Sequence, residues 1–194
     1  MLGLQHDTDP KWVEAVEKDL DALLIDHAHC ELKAAQSALS LMARYAGEAP
    51  ILVDPLVALA KEEADHFHQV EERLRARSRS LGMPSSDVYV RDLQMAARRD
   101  HADHPALLDR LLLCALIEAR SCERFHLLSE HLSSAELRSF YRDLMASEAR
   151  HYRLFRDLGV SLFGEAETKA RLQQLATREA QIAAALPLQA TVHG

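Results

Sequence analysis

Hydrophobic residues recur at steps of three and four along most of the chain, which is the spacing of one face of an α-helix. Short segments containing Gly, Pro or Ser, such as GEAP, LGMPSS and LGVSLFG, separate the periodic stretches. The pattern predicts helices over residues 11–45, 53–79, 87–99, 105–131, 135–158 and 165–185. We expect the long helices to pair as two hairpins in an all-α protein, with one domain over residues 1–194.

Polar residues interrupt the apolar face of two of these helices in the same way. The string SEARHYRLF places Glu148 and His151 at inward positions of the fifth predicted helix. The string KEEADHFHQV repeats those steps in the second helix, with Glu63 and His66 at the equivalent positions. One Glu-x-x-His occurs easily by chance in a helical, acidic chain, whereas two copies in matching inward registers indicate a shared site.

The helix that precedes each copy supplies one more inward carboxylate. Glu31 lies in the middle of the apolar stripe of the first helix, and Glu118 does so in the fourth. Glu123 is an alternative to Glu118, because it lies on a second, partly apolar stripe of the same helix. In an antiparallel hairpin, Glu118 and Glu148 would be about equally far from the SS turn at 133–134. This geometry favours Glu118.

Buried carboxylates need a partner, since burying an isolated charge is costly. Four carboxylates and two imidazoles without a thiolate suit iron or manganese, and this is the ligand set of the di-metal centre in ferritin-like helical bundles. The predicted ligands are Glu31, Glu63, His66, Glu118, Glu148 and His151. A ferritin-like four-helix bundle with additional crossover and C-terminal helices follows; a buried salt-bridge network without metal is the alternative.

Three further residues are candidates for positions beside the ligands. His27 lies one turn before Glu31 on the same face, as a hydrogen-bonding partner or a core histidine. Asp65 would orient a histidine or lie on a solvated face. Glu123, if it is not a ligand, belongs to the same group.

Composition and charge limit the compartment and the partners. Hydrophobic residues make up 48% of the 194 residues. Because the formal net charge is -7, any nucleic-acid contact requires a local basic patch. Three cysteines without a CxxC motif favour a reducing compartment. We find neither the pattern of a signal peptide nor an apolar run of about 18 residues, and we expect a cytoplasmic protein without a membrane span.

Six arginines concentrate positive charge near the end of the second helix and in the crossover segment. Basic residues near a helix C-terminus also complement its dipole without any binding role. The alternative is a contact with phosphate groups. The residues are Arg73, Arg75, Arg77, Arg79, Arg98 and Arg99.

Together, DHAHCELKAA, KEEADHFHQV, IEARSCERF and SEARHYRLF resemble the bacterial tRNA-(2-methylthio-N6-isopentenyladenosine) hydroxylases of the MiaE family. The resemblance implies a non-haem di-iron monooxygenase that hydroxylates the isopentenyl group of this adenosine next to the anticodon. It also implies dioxygen as co-substrate, two electrons from a ferredoxin-type or reductase donor, and the same six ligands. The arginine patch would then contact the tRNA.

Two other classes share part of this pattern. A ferritin-like peroxidase, catalase or iron-storage protein would have all six ligands and would act without tRNA. A metal-free helical interaction module would have the bundle alone.

Overall fold

The structure, a computed structural model, describes residues 2–99 and 104–193, except for the side chain of Arg99. Within these ranges there are seven α-helices, a 3-10 turn at Pro50–Leu52 and no strand. The helices are α1 (Lys11–Lys18), α2 (Leu20–Tyr45), α3 (Val53–Ala76), α4 (Val88–Arg99), α5 (Ala106–His131), α6 (Ala135–Phe163) and α7 (Glu165–Ala185). None of the helices in the described ranges is long and apolar enough to cross a bilayer.

The described residues divide into two compact units. One comprises Ala15–Ser86 with Ala190–Val192, in which α2 packs along α3. The other contains the N-terminal segment and α4 to α7; here α5 packs along α6, and α7 contacts α4, α5 and α6. The two predicted helical hairpins are therefore confirmed. The prediction of one domain over 1–194 stays a prediction.

The single helix predicted over 11–45 is wrong, because the chain leaves the helical conformation at Asp19. The backbone there has φ -145° and ψ 65°, and the Asp19 carboxylate accepts a hydrogen bond of 3.1 Å from the backbone N–H of Ala22. This carboxylate caps the start of α2. The apolar spacing continues across Asp19, so periodicity alone did not show the break.

The prediction that the helix ends at residue 158, before the LGVSLFG segment is complete, is also wrong. Helix α6 continues to Phe163 and ends at Gly164, whose φ of +85° is in the left-handed region. Gly159 is buried inside the helix, and a Cβ atom added there would lie 3.1 Å from Cγ2 of Thr168 on α7. The glycine therefore permits the close approach of α6 and α7.

The unit with α4 to α7 has an apolar core to which α4, α5 and α7 contribute, with Tyr89 and Leu116 among its members. A buried ion pair joins two of these helices: the Arg171 guanidinium on α7 donates to both carboxylate oxygens of Asp109 on α5, at 2.7 and 3.1 Å. Arg171 also donates to the Ala97 carbonyl of α4 at 3.4 Å. The pair fixes α7 against the helix that carries Glu118.

Replacing Gly159 by Leu should lower the free energy of unfolding by about 1–3 kcal/mol, because the new side chain would overlap α7. Urea denaturation followed by circular dichroism measures the change. The matched control is Gly47→Leu, at an exposed turn where nothing lies within 4 Å of an added Cβ atom. An equal effect in both variants would contradict the proposed close approach.

Candidate metal centre

Helices α2 and α3 bring together two carboxylates and one imidazole. Glu31 comes from α2, Glu63 and His66 come from α3, and all three are at most 5% exposed. Each contributes a ligand atom that lies within 4.8 Å of the others. His66 Nδ1 is 3.1 Å from Glu63 Oε2 and 3.8 Å from Glu31 Oε2. We call these residues the α2–α3 cluster.

His27 is completely buried beside this cluster, with Nε2 2.6 Å from Oε1 of Glu31. Burial alone would raise the pKa of Glu31, but the hydrogen bond with His27 and the nearby His66 imidazole hold that pKa well below its usual range. Burial likewise opposes the charge on His66, yet the nearby Glu31 carboxylate and the hydrogen bond with Glu63 raise its pKa to about 10. The two carboxylates therefore strongly favour a positive charge between them.

Helices α5 and α6 form a second cluster of the same composition. Glu118 from α5 and Glu148 and His151 from α6 are 6%, 3% and 3% exposed, and their ligand atoms lie within 4.8 Å of one another. His151 Nδ1 is 3.9 Å from Oε2 of Glu118 and from Oε1 of Glu148. These distances exceed a hydrogen bond, but two atoms bound to one ion at about 2.1 Å can be this far apart. We call these residues the α5–α6 cluster.

Each cluster has a donor set that could hold a divalent metal ion. Two carboxylates and an imidazole, without thiolate, are typical of iron and manganese sites. Both clusters arise in the same way, because a Glu-x-x-His on one helix projects two side chains from one face and its hairpin partner adds a third. The six residues stay predictions as metal ligands.

Glu123, the alternative to Glu118, has other partners. Its carboxylate accepts hydrogen bonds from the backbone N–H of Thr8 at 2.8 Å, from the Thr8 hydroxyl at 2.6 Å and from Arg120 at 3.0 Å. These donors satisfy both carboxylate oxygens. The geometry therefore favours Glu118 as the α5 ligand and shows Glu123 holding the N-terminal segment.

The partner of Glu123, Arg120, is the centre of a buried polar network that sequence reasoning missed. Its Nε and Nη2 atoms donate to Glu179 on α7 at 2.9 and 2.8 Å, and Nη2 also donates to the His6 carbonyl at 2.9 Å. Tyr89 on α4 donates its hydroxyl to the same Glu179 oxygen at 3.0 Å. The guanidinium therefore ties α5 to α7 and to the N-terminal segment, and α4 joins through Glu179.

Arg124 extends this network. It lies over the Trp12 ring, 4.9 Å from the centroid, and burial together with the charge of Arg120 lowers its pKa to about 10. In the sequence, the i, i+3 spacing of Arg120 and Glu123 on a partly apolar stripe was a usable signal for this pair. The acidic partner on α7 was not visible from sequence.

The C-terminal end is also held by polar contacts that the sequence did not suggest. His193 Nε2 lies 3.0 Å from the Ser121 hydroxyl on α5, and its Nδ1 lies 3.2 Å from Asp87, just before α4. The imidazole stacks on the Tyr89 ring with 5.2 Å between centroids. The contacts fix residue 193 against α5 and the start of α4.

The remaining predicted site residues lie at or near the surface, or outside the residues that the structure describes. Asp65 is exposed, which favours the solvated-face alternative. Arg73 donates to the Gln69 carbonyl at 2.9 Å within its own helix. Arg98 is exposed, and the side chain of Arg99 lies outside the described residues.

Three arginines of the predicted patch form ion pairs. Arg75 donates to Glu71 at 2.6 Å, and Arg77 and Arg79 each donate to one oxygen of Asp21 at 2.5 Å. Hydrogen bonds from Arg77 and Arg79 lower the pKa of the Asp21 carboxyl below its usual value. Part of the positive charge of the patch is therefore offset within the unit.

Buried Glu-x-x-His pairs on an all-helical scaffold are typical of the ferritin-like class of proteins. The chain belongs to one family of that class: the family model for tRNA-(MS[2]IO[6]A)-hydroxylase (MiaE) matches residues 2–194. The predicted family, the ferritin-like all-α fold and the prediction of a tRNA-modifying hydroxylase are confirmed by this match and the following relatives.

Two relatives carry the name tRNA 2-(methylsulfanyl)-N(6)-isopentenyladenosine(37) hydroxylase. The one from Pseudomonas putida is 42% identical, over 82% of this chain and 76% of its own length. The one from Salmonella typhimurium is 31% identical, over 94% of this chain and 84% of its own. A solved structure is similar as well: protein 43 with aldehyde deformylating oxygenase activity from Synechococcus, with a TM-score of 0.87, 38% identity, and 98% and 95% of the two chains covered.

Replacing Arg120 by Ala should lower the free energy of unfolding by about 3–5 kcal/mol, because Glu179 and Glu123 would lose their buried counter-charge. The matched control is the exposed Arg44→Ala, for which about 0.5 kcal/mol or less is expected. A double variant, Arg120→Met with Glu179→Gln, should lose less than the sum of its two single variants. Additive losses in urea denaturation would show that the two side chains do not interact as described.

Proposed function

We propose that this protein hydroxylates the isopentenyl group of 2-methylthio-N6-isopentenyladenosine next to the anticodon of tRNA, using dioxygen and two electrons. The observation that carries the proposal is the family match over residues 2–194, in a chain that presents both carboxylate–imidazole clusters at the predicted positions. The names of the two relatives give the nucleoside. Since tRNA is the substrate, the reaction would take place in the cytoplasm.

The proposed cofactor is a pair of non-haem iron ions held by the six residues of the α2–α3 and α5–α6 clusters. Two divalent ions would offset the four carboxylates, which explains why such residues are stable when buried. Iron, when bound, would supply the activation of dioxygen that hydroxylation of an unactivated C–H bond requires. The electrons would come from an external donor of the ferredoxin or reductase type.

The chain's own side chains would orient and dry this site. His27, at 2.6 Å, fixes one oxygen of Glu31 and leaves the other directed towards His66. The near-complete burial of the ligands excludes bulk water, which protects a strong oxidant from unproductive reactions. These roles need no group other than side chains already in place.

The substrate would reach the site as an extruded base. A modified base in a single-stranded loop leaves its stack at low cost, and an enzyme then reads it in a pocket while phosphate contacts place the loop. Arg73, Arg75, Arg77, Arg79, Arg98 and Arg99 remain proposed phosphate contacts. The Asp21 and Glu71 ion pairs reduce the charge that three of them can offer.

Two other activities are weighed against this proposal. The Synechococcus structure is named for aldehyde deformylating oxygenase activity, so an aldehyde is an alternative substrate for a similar scaffold. A ferritin-like peroxidase, catalase or iron-storage protein would use the same ligand types without any tRNA. Both can be tested with the same protein preparation.

The decisive experiment is mass spectrometry of nucleosides from prenylated tRNA treated with the iron-loaded protein, dioxygen and a reducing system. We expect one added oxygen on the prenylated adenosine, and no such gain with Glu148→Ala. A long-chain aldehyde and hydrogen peroxide serve as parallel substrates. Turnover of either of them by a protein with bound iron, together with unmodified tRNA, would refute the proposal.

Glu118 and Glu123 form a matched pair for testing the metal ligands. Glu118→Gln should lose at least half of about two iron ions per chain, because it removes a ligand. Glu123→Gln should keep its iron and lower the midpoint of thermal unfolding, because it weakens the contacts with Arg120 and Thr8. Metal analysis after anaerobic loading and thermal unfolding provide the two measurements. Iron lost only from the Glu123 variant would reverse the assignment.

A further inference from the structure

Helix α6 carries a row of arginines on the face opposite its buried ligands. At 100° per residue, the row falls within an arc of about 120°, centred away from the face of Glu148 and His151. The helix contains no lysine. The residues, which we call the α6 arginine row, are Arg138, Arg142, Arg150, Arg153 and Arg156.

Most of the row is accessible. Arg142, Arg150 and Arg153 are exposed, and the side chains of Arg142 and Arg156 retain 58% and 43% of their accessible surface. Arg138 is different, because it donates to the carbonyls of Leu132 and Ser133 at 2.5 and 3.0 Å. Arg138 therefore caps the end of α5. Arg142 donates to the Ser129 carbonyl at 3.5 Å and Arg150 donates to the Ser147 hydroxyl at 2.9 Å, and both side chains are exposed.

The local charge balance favours an anion. Among the acidic residues of α6, Asp157 alone lies within this arc, where it is paired with Arg156 at 2.7 Å, and Asp143 lies about 20° outside it. The contact of Arg142 with Glu130 is long, at 4.0 Å. In the α3 patch, which comprises Arg73, Arg75, Arg77 and Arg79, three of the four arginines are already in ion pairs with Glu71 or Asp21 at 2.5 to 2.6 Å. A protein of net charge -7 thus keeps an excess of positive charge along one helix face.

We propose that the α6 arginine row binds phosphate groups of the tRNA substrate; this inference rests on the proposed function. From Arg142 to Arg156 the row spans about 21 Å at 1.5 Å per residue, which is enough for several phosphates of one strand. Arginine presents a planar fork that matches phosphate oxygens, and an all-arginine row is typical of such recognition. A linear row fits a regular phosphate backbone better than the dispersed carboxylates of an acidic electron-donor protein.

The α6 arginine row also lies on the same helix as two of the predicted metal ligands. The helix that would hold the phosphates carries Glu148 and His151 on its other face, so docking and the predicted ligands share one rigid element. A tRNA bound along α6 would be fixed relative to those side chains without any hinge.

The test is the salt dependence of tRNA binding. Arg142→Gln, Arg150→Gln and Arg153→Gln are combined in one variant, and the dissociation constant is measured by filter binding at several salt concentrations. We expect at least tenfold weaker binding and a slope of log affinity against log salt reduced by about two to three. An Arg→Lys triple variant should keep most of the slope, since its charges remain.

A matched control removes the same charge elsewhere: Arg44→Gln, Arg91→Gln and Arg110→Gln, all exposed and outside the row and the α3 patch. Its affinity and slope should equal those of the wild type within about twofold. Equal losses in the row variant and the control would overturn the proposal. The proposal would also be wrong if a variant combining Arg75→Gln, Arg77→Gln and Arg79→Gln lost the salt dependence of tRNA binding while the row variant kept it.

A role of the row in binding an electron-donor protein is tested by comparing turnover with a protein donor and turnover with dithionite. If the row variant bound tRNA normally but turned over only with dithionite, the row would be a donor site and the proposal would be wrong. Wild-type protein that neither binds nor modifies tRNA would refute the proposed function itself. Wild-type protein that modifies tRNA, beside a row variant of unchanged affinity and slope, would refute the docking surface alone.

Discussion

The cost of burying carboxylates dominates the design of this protein. Glu31, Glu63, Glu118 and Glu148 are at most 6% exposed, and each lies in a cluster with a single imidazole. An unpaired buried charge would cost several kcal/mol, so such a core requires compensation by protons, by metal ions or by both. The raised pKa of His66 shows the same demand for positive charge.

The polar network on α5 meets a similar demand by a different route. Arg120 forms ion pairs with Glu123 and Glu179, and the charge of Arg124 is also stabilised by these carboxylates, so the buried charges balance within one unit and need no ion. The network ties two other helices and the N-terminal segment to the helix that carries Glu118. Rotation of α5 would break several of these hydrogen bonds, so the network also limits movement of that ligand. Helix α5 thus has a candidate metal ligand on one stripe and an internal ion-pair network on another.

The distribution of arginine shows how one residue type serves opposite purposes. Arg120 and Arg171 are buried and structural, because each of them meets carboxylates of neighbouring helices. Arg77 and Arg79 are at the surface but share one carboxylate. Arg150 and Arg153 stand on the outer face of α6. Sequence spacing separates the last group from the others only when the inward face of its helix is known.

Much of this protein follows from its sequence alone. The steps of three and four gave the helices and the inward registers of Glu31, Glu63, Glu118 and Glu148, because periodicity reports directly which side of a helix is apolar. The specific strings gave the family. The break at Asp19, by contrast, lies within a continuous apolar pattern and depends on a cap that only the backbone reveals.

The tertiary structure decided what depends on contacts between distant segments. The choice between Glu118 and Glu123 required the positions of Thr8 and Arg120, and Gly159 acquired its meaning from Thr168 on the following helix. The apolar pattern of one helix indicates which of its residues face the core. It does not indicate which residues of other elements contact them there. The sequence therefore determined the fold class, the family and the inward-facing residues, and the packing of the helices decided which partner each buried polar group has.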